Sequence, residues 1–263
     1  MSTTLLSLSG VSRHYGALRA VDDVSIDVPA GARHALIGPN GAGKSTLFKL
    51  VTGSMPVSAG TVTLDGTDIT QLPEHQRARR GVSQTLQHSS LFLSQSVQDN
   101  VLLAAQRQHR SRRSLLPRRQ AAARDRVRGL LVDVGLEARA DTPVAALSHG
   151  ERRQLEVAIA LACEPKLLLL DEPAAGMSPA ESSRLVGLLQ SLPASVTLVI
   201  VEHDLDVVFA LATSVTVLHL GQVLLTGSPD EVRASAAVQE AYLGTGREAL
   251  FLDHPGSTQM EVS

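Results

Sequence analysis

The chain has 263 residues, 43% hydrophobic and 19% charged, which is ample for a buried core and excludes an intrinsically disordered polymer. A formal net charge of −2 supplies no global field to recruit nucleic acid or an anionic membrane. The single cysteine, Cys163, excludes a disulfide framework and suits a reducing compartment; in its alanine-rich apolar stretch it reads as a small core residue. The N-terminal run MSTTLLSLSGVSRHYG lacks the basic and apolar regions of a signal peptide. No segment approaches the ~18 consecutive apolar residues of a membrane-spanning helix, so any work at a membrane is expected to pass through partners.

In chain order, residues 4–30 alternate and are rich in Val, Leu and Ile, which predicts antiparallel strands around LLSLSG and VSIDVPAG. His34 to Ile37 reads as a short buried strand entering the glycine-rich run GPNGAGKST, with a helix from Lys44 to about Gly53. A hairpin is expected at Gly60 to Thr70, turning at Asp65-Gly66. From about Val97 to Cys163 the pattern becomes helical. Strand character returns at KLLLLD (Lys166 to Asp171) and VTLVIVE (Val196 to Glu202), with the helix ESSRLVGLLQSL between them, a parallel crossover. Ser214 to Gly227 adds two short strands around Gly221. The whole reads as an α/β nucleotide-binding core interrupted by a helical insertion.

Between Arg107 and Arg128 lie nine arginines against one acid, Asp125. A solvated helical face is the plain reading, and a membrane-surface or partner contact is the alternative. Nucleic acid is disfavoured, because no aromatic residues interleave the arginines to stack on bases.

Gly38 to Ser45 fits G-x-x-x-x-G-K-[ST] between a short apolar strand and a helix, the context a phosphate cradle requires. Gly38, Gly41 and Gly43 permit backbone conformations that aim N–H groups at phosphate oxygens, and the helix N-terminus adds partial positive charge. Lys44 is placed to reach the β- and γ-phosphates, and the Ser45 hydroxyl to coordinate Mg²⁺. Pro39, Asn40, Ala42 and Thr46 complete the nucleotide-binding stretch. KLLLLDEP then ends an apolar strand on two carboxylates, at the strand edge where α/β sheets bind ligands. Asp171 is the candidate for holding Mg²⁺, Glu172 is the candidate general base for water, and Pro173 stops the strand.

At this point the residues resemble the ATP-binding cassette (ABC) superfamily over essentially the whole chain up to about Gly244. Leu147-Ser148-His149-Gly150-Glu151 is similar to its L-S-G-G-Q signature, 23 residues before Asp171 (171 − 148), with His149 and Glu151 at two variable positions. The resemblance implies that Ser148 and Gly150 face the γ-phosphate held by an opposite subunit. It also implies that His203 is the switch histidine, that Gln87 (rather than nearby Gln84) touches Mg²⁺ and senses the membrane partner, and that Tyr15 stacks on adenine. Ser178 departs from the aspartate found there in many relatives. The implied organisation is a P-loop NTPase with a RecA-like parallel core and an antiparallel β subdomain. One ATPase domain would span 1–245, with a helical subdomain at about 95–165 and a tail at 246–263.

Within the superfamily, the strings LSHGERRQLEVAIAL, LLDEPAAGMSP, VEHDLDVVFALA and GSPDEVRASAAVQEAYLG look like branched-chain amino-acid importer ATPases of the LivG type. That likeness implies ATP and Mg²⁺ as cofactors and a peripheral place on the cytoplasmic side of the inner membrane. It also implies transmembrane permeases, a second ATPase subunit (in a homodimer or heterodimer) and, indirectly, a solute-binding protein as partners. Two other classes are weighed. A soluble ABC ATPase of DNA repair or translation would usually carry two cassettes, a long coiled coil or zinc ligands, and none is visible. A GTPase would show an N-K-x-D motif, which is missing, and neither a GTPase nor a P-loop kinase explains Ser148-His149-Gly150 or His203.

Overall fold

The computed structural model describes residues 3–85, 91–108 and 117–243. Two sheets carry the described strands. The first is antiparallel, ordered β2-β1-β4-β5, from β1 (Thr4–Tyr15), β2 (Leu18–Pro29), β4 (Ala59–Leu64) and β5 (Thr67–Asp68). Both residues of the expected Asp65-Gly66 turn have positive φ, 52° and 70°, the combination a tight hairpin turn of this twist demands. The second sheet is ordered β10-β9-β3-β8-β7-β6. It comprises β3 (Arg33–Ile37), β6 (Val82–Gln84), β7 (Leu167–Asp171), β8 (Thr197–Val201), β9 (Ser214–His219) and β10 (Gln222–Gly227). All its neighbours are parallel except β9 with β10.

β3 is buried throughout and the apolar runs at β7 and β8 are continuous because both faces of this sheet are covered. Alternate residues fall into two cores. Ile37, Leu168, Leu170, Leu198 and Ile200 face the core shared with the helices α3 (Val97–Gln108), α4 (Pro117–Asp133), α5 (His149–Ala162), α6 (Pro179–Ser191) and α7 (Leu205–Leu211). Leu36, Leu167, Leu169, Val199 and Val201 face the other core, with the antiparallel sheet and α1 (Lys44–Thr52). Each fully buried Leu or Ile contributes about 1.5–3 kcal/mol relative to exposure, so the central strands are anchored from both sides.

The helical pattern of the middle segment holds at α3, α4 and α5, with 3-10 turns at Glu137–Arg139 and Val144–Ala146 between α4 and α5. Two short elements after β5 were not anticipated, α2 (Glu74–Arg79) and the edge strand β6, and α8 (Pro229–Ala234) and α9 (Ala236–Tyr242) follow the last strand. Among the described residues, no helix is long and apolar enough to cross a membrane.

Candidate functional site

Four adjacent parallel strands, β3, β8, β7 and β6, point the same way, so their carboxyl ends open on one edge of the sheet. The cradle follows β3, the Asp171–Glu172 pair ends β7, and Glu202–His203 follow β8. Parallel pairing alone therefore gathers residues more than 150 positions apart in the chain.

The cradle is braced from outside. The β9–β10 turn donates the Gly221 N–H to the Ala42 carbonyl at 3.1 Å. Gly38 (φ 151°) passes so close to the Leu218 carbonyl that a Cβ would collide with it. Gly43 (φ 101°) lies where a Cβ would stand 2.5 Å from the Ala20 carbonyl. These two glycines are required by close backbone approach as well as by positive φ. Gly43 is also the N-cap of α1, and no side chain caps that end, which suits it to an anion. Lys44 is buried and donates from Nζ to the carbonyls of Gly38 (2.7 Å) and Pro39 (3.0 Å), holding its ammonium over the loop. Pro39, Asn40, Gly41, Ala42, Ser45 and Thr46 lie on the same loop and first helical turn.

At the end of β7, Asp171 Oδ1 is buried without a hydrogen-bond partner. Burial raises its carboxyl above the ordinary aspartate value and the Glu172 charge adds to this, while Lys44 and Lys49 oppose. An orphaned carboxylate oxygen beside a phosphate cradle is a donor set that fits Mg²⁺, a hard cation satisfied by oxygen. Glu172 sits at φ 49°, a strained backbone for a non-glycine residue. It is fixed there by its N–H donating to Val201 O (2.8 Å) and by its carbonyl accepting the Ala175 N–H (3.1 Å). Its Oε1 lies 3.5 Å from His203 Nδ1, and both side chains are partly exposed.

Ser148 is the N-cap of α5 and forms a capping box: its Oγ accepts the Glu151 N–H (3.2 Å), while Glu151 accepts the Ser148 N–H (2.8 Å). That backbone bond holds the Glu151 carboxyl below the usual range, and Arg139, at 2.9 Å, adds to it. A Cβ on Gly150 would meet the Glu181 carboxylate, so the first turn of α5 rests on α6. Ser178 N-caps α6 in a second capping box with Glu181, which gives the departure from aspartate a local structural role. Tyr15 is 43% exposed, donates its hydroxyl to Met55 Sδ (2.9 Å), and carries the Arg13 guanidinium 4.8 Å from its ring centroid. Gln87 lies outside the described residues; Gln84, at the end of β6, donates to Glu74 Oε1 at 3.2 Å.

Sequence reading missed three supports. Thr85 Oγ1 accepts the Asp171 N–H at 3.4 Å, Gly221 braces the cradle, and Glu202 is a carboxylate only 1% exposed. Only Glu202 had a signal, as a polar residue ending an apolar strand beside His203.

A glycine-braced cradle, a buried acid and a glutamate–histidine pair on one edge of a parallel sheet define an ATP-binding cassette ATPase. The family model described as "ABC transporter" matches residues 21–175, and the chain belongs to that family. A second model, "Branched-chain amino acid ATP-binding cassette transporter", matches residues 222–248. The chain is similar to the high-affinity branched-chain amino acid transport ATP-binding protein LivG of Salmonella typhimurium, 36% identical over 253 residues, 93% of this chain and 99% of the relative. It is 35% identical to the corresponding BraF of Pseudomonas aeruginosa over the same shares. It is also 36% identical to the lipopolysaccharide export system ATP-binding protein LptB of Acidithiobacillus ferridurans, covering 91% and 97%. The solved structure of a nucleotide-free ATP-binding cassette from an ABC transporter superposes with a TM-score of 0.81 at 27% identity, covering 92% of this chain and all of that one.

Proposed function

We propose that the chain is the ATP-hydrolysing subunit of an importer for branched-chain amino acids or a related small solute. It would sit peripherally on the cytoplasmic face of the inner membrane, against transmembrane permease subunits that an extracytoplasmic solute-binding protein supplies. Overall identity does not separate uptake from lipopolysaccharide export, since both kinds of relative stand at 36%. What supports uptake is the branched-chain family match at residues 222–248, a stretch that contains none of the nucleotide-site residues named above. A soluble DNA-repair or translation ATPase gains no support from these relatives.

In the proposed mechanism, Tyr15 stacks on adenine while the cradle N–H groups and Lys44 bind the phosphates, and Gln87 and Ser45 join Asp171 in holding Mg²⁺. Bound Mg²⁺ would neutralise phosphate charge. Glu172 polarises the attacking water, His203 orients the γ-phosphate, and Ser148 and Gly150 close on that phosphate from a second ATPase subunit. Positioning and charge stabilisation carry most of the rate.

The observation that carries the catalytic reading is the Glu172–His203 contact of 3.5 Å beside the orphaned Asp171 oxygen. Glu172→Gln is expected to bind ATP as wild type does, hydrolyse it about 10²–10⁴-fold more slowly, and accumulate an ATP-bound dimer by size-exclusion chromatography. Wild-type phosphate release would remove Glu172 from the general-base role. For the importer reading, membranes from cells expressing the tagged chain should yield permeases on purification; ribosomes or DNA in their place would overturn it.

A further inference from the structure

Among the described residues, Glu202 is the most buried carboxylate at the site edge, and the mechanism above leaves it unused. Its two oxygens bond to two different loops. Oε1 accepts the N–H of Ala174, two residues beyond Glu172, at 2.8 Å. Oε2 accepts the N–H of His203 at 3.1 Å. His203 Nδ1 lies 4.0 Å from Oε2 and 3.5 Å from Glu172 Oε1, so both acids flank one ring nitrogen.

Burying a carboxylate costs several kcal/mol unless charge-assisted bonds compensate, and here backbone N–H groups of the two loops supply them. The strained φ of Glu172 persists only if its surroundings over-determine it. Bonds from Val201 and Ala175 fix Glu172 itself, and the Glu202–Ala174 bond fixes the next step of that loop.

We propose that Glu202 is a positioning residue for ATP hydrolysis, a single carboxylate that locks the loop bearing Glu172 to the loop bearing His203 so that both meet the γ-phosphate as one unit. This rests on the reading of Glu172 and His203 as the hydrolytic pair. Glu202→Gln keeps the volume but turns an NH2 group toward a backbone N–H, which releases one loop.

The test uses the purified full chain at a temperature where circular dichroism shows every variant folded. For Glu202→Gln, kcat is expected to fall at least about tenfold, as for a small misplacement of reacting groups, while KM and the Kd for ATP stay within about twofold of wild type. Because Glu202 acts through Glu172 and His203, pairing Glu202→Gln with Glu172→Gln or with His203→Ala should cost less than the product of the single losses. A folded Glu202→Gln with wild-type kcat, a loss seen only as weaker ATP binding, or losses that multiply in both double variants would each overturn the proposal. If Glu202→Gln does not fold, Glu202→Asp keeps the charge with shorter reach and should show the same kcat-against-KM split; wild-type kcat there overturns it equally. Retained turnover in Glu172→Gln and His203→Ala would instead overturn the hydrolytic reading beneath it.

Discussion

Asp171 stands where the fold alone does not favour a charge. Its Oδ1 is buried and unbonded, and desolvation raises its carboxyl above the ordinary 3.8. The folded state thus binds this proton more tightly than the unfolded chain. The ionised form lowers stability at any pH above the folded value, and the penalty fades as pH falls through that value toward 3.8. Asp171→Asn should therefore raise the thermal midpoint of the nucleotide-free and metal-free protein at neutral pH, by about 2–4 °C per kcal/mol relieved. The gain should shrink on acidification, and ATP hydrolysis should drop. Thermal scans across pH check the first two points, and a midpoint lowered at neutral pH would contradict the argument. Residues of this kind were legible because Lys44, Asp171 and Glu172 sit in motifs whose chemistry dictates their spacing. Thr85 was not, and Glu202 showed only as a polar end to an apolar strand, because their partners are backbone atoms brought near by strand pairing.

At the scale of elements, two short pieces do more than their length suggests. The loop of residues 172–178 is held at one end by Glu202 on Ala174 and at the other by the Ser178–Glu181 box, whose acid also abuts Gly150. Helix α2, six residues long, carries Arg77, 1% exposed, whose guanidinium donates to the carbonyls of Leu50, Val51, Thr70 and Leu72. That group ties the C-terminal end of α1 to the segment after the antiparallel sheet. Burial holds it below the ordinary arginine value, and Asp68 opposes this. Arg77→Leu strands four carbonyls at once and should cost at least about 3 kcal/mol, read as a lower urea midpoint with an unchanged slope. A cost under 1 kcal/mol would mean that water satisfies those carbonyls. Long periodic helices and apolar strands were visible in the sequence. α2 and β6, of six and three residues, are too short for a period to emerge and are not apolar runs that would show without one.

For the whole molecule, one sheet edge gathers the cradle, Glu172 and His203, while the signature turn at Ser148 opens α5, a helix of the inserted segment between β6 and β7. Ser148 is partnered within its own chain by Glu151, yet its helix N-terminus keeps the dipole that favours anions. If that end completes the cradle of a second copy, two different defects must complement. A Lys44→Ala chain has a ruined cradle and an intact signature, and a Ser148→Arg chain has the reverse. Each alone should hydrolyse almost no ATP. Mixed in equal amounts, half the dimers are mixed and each holds one intact composite site, so activity should return to about a quarter of wild type if sites act independently. Recovery should follow mixing ratio and total concentration, because it needs association. If no activity returns while Glu172→Gln still dimerises with ATP, Ser148 does not serve the opposite site in that dimer, and it is left with only its role capping α5.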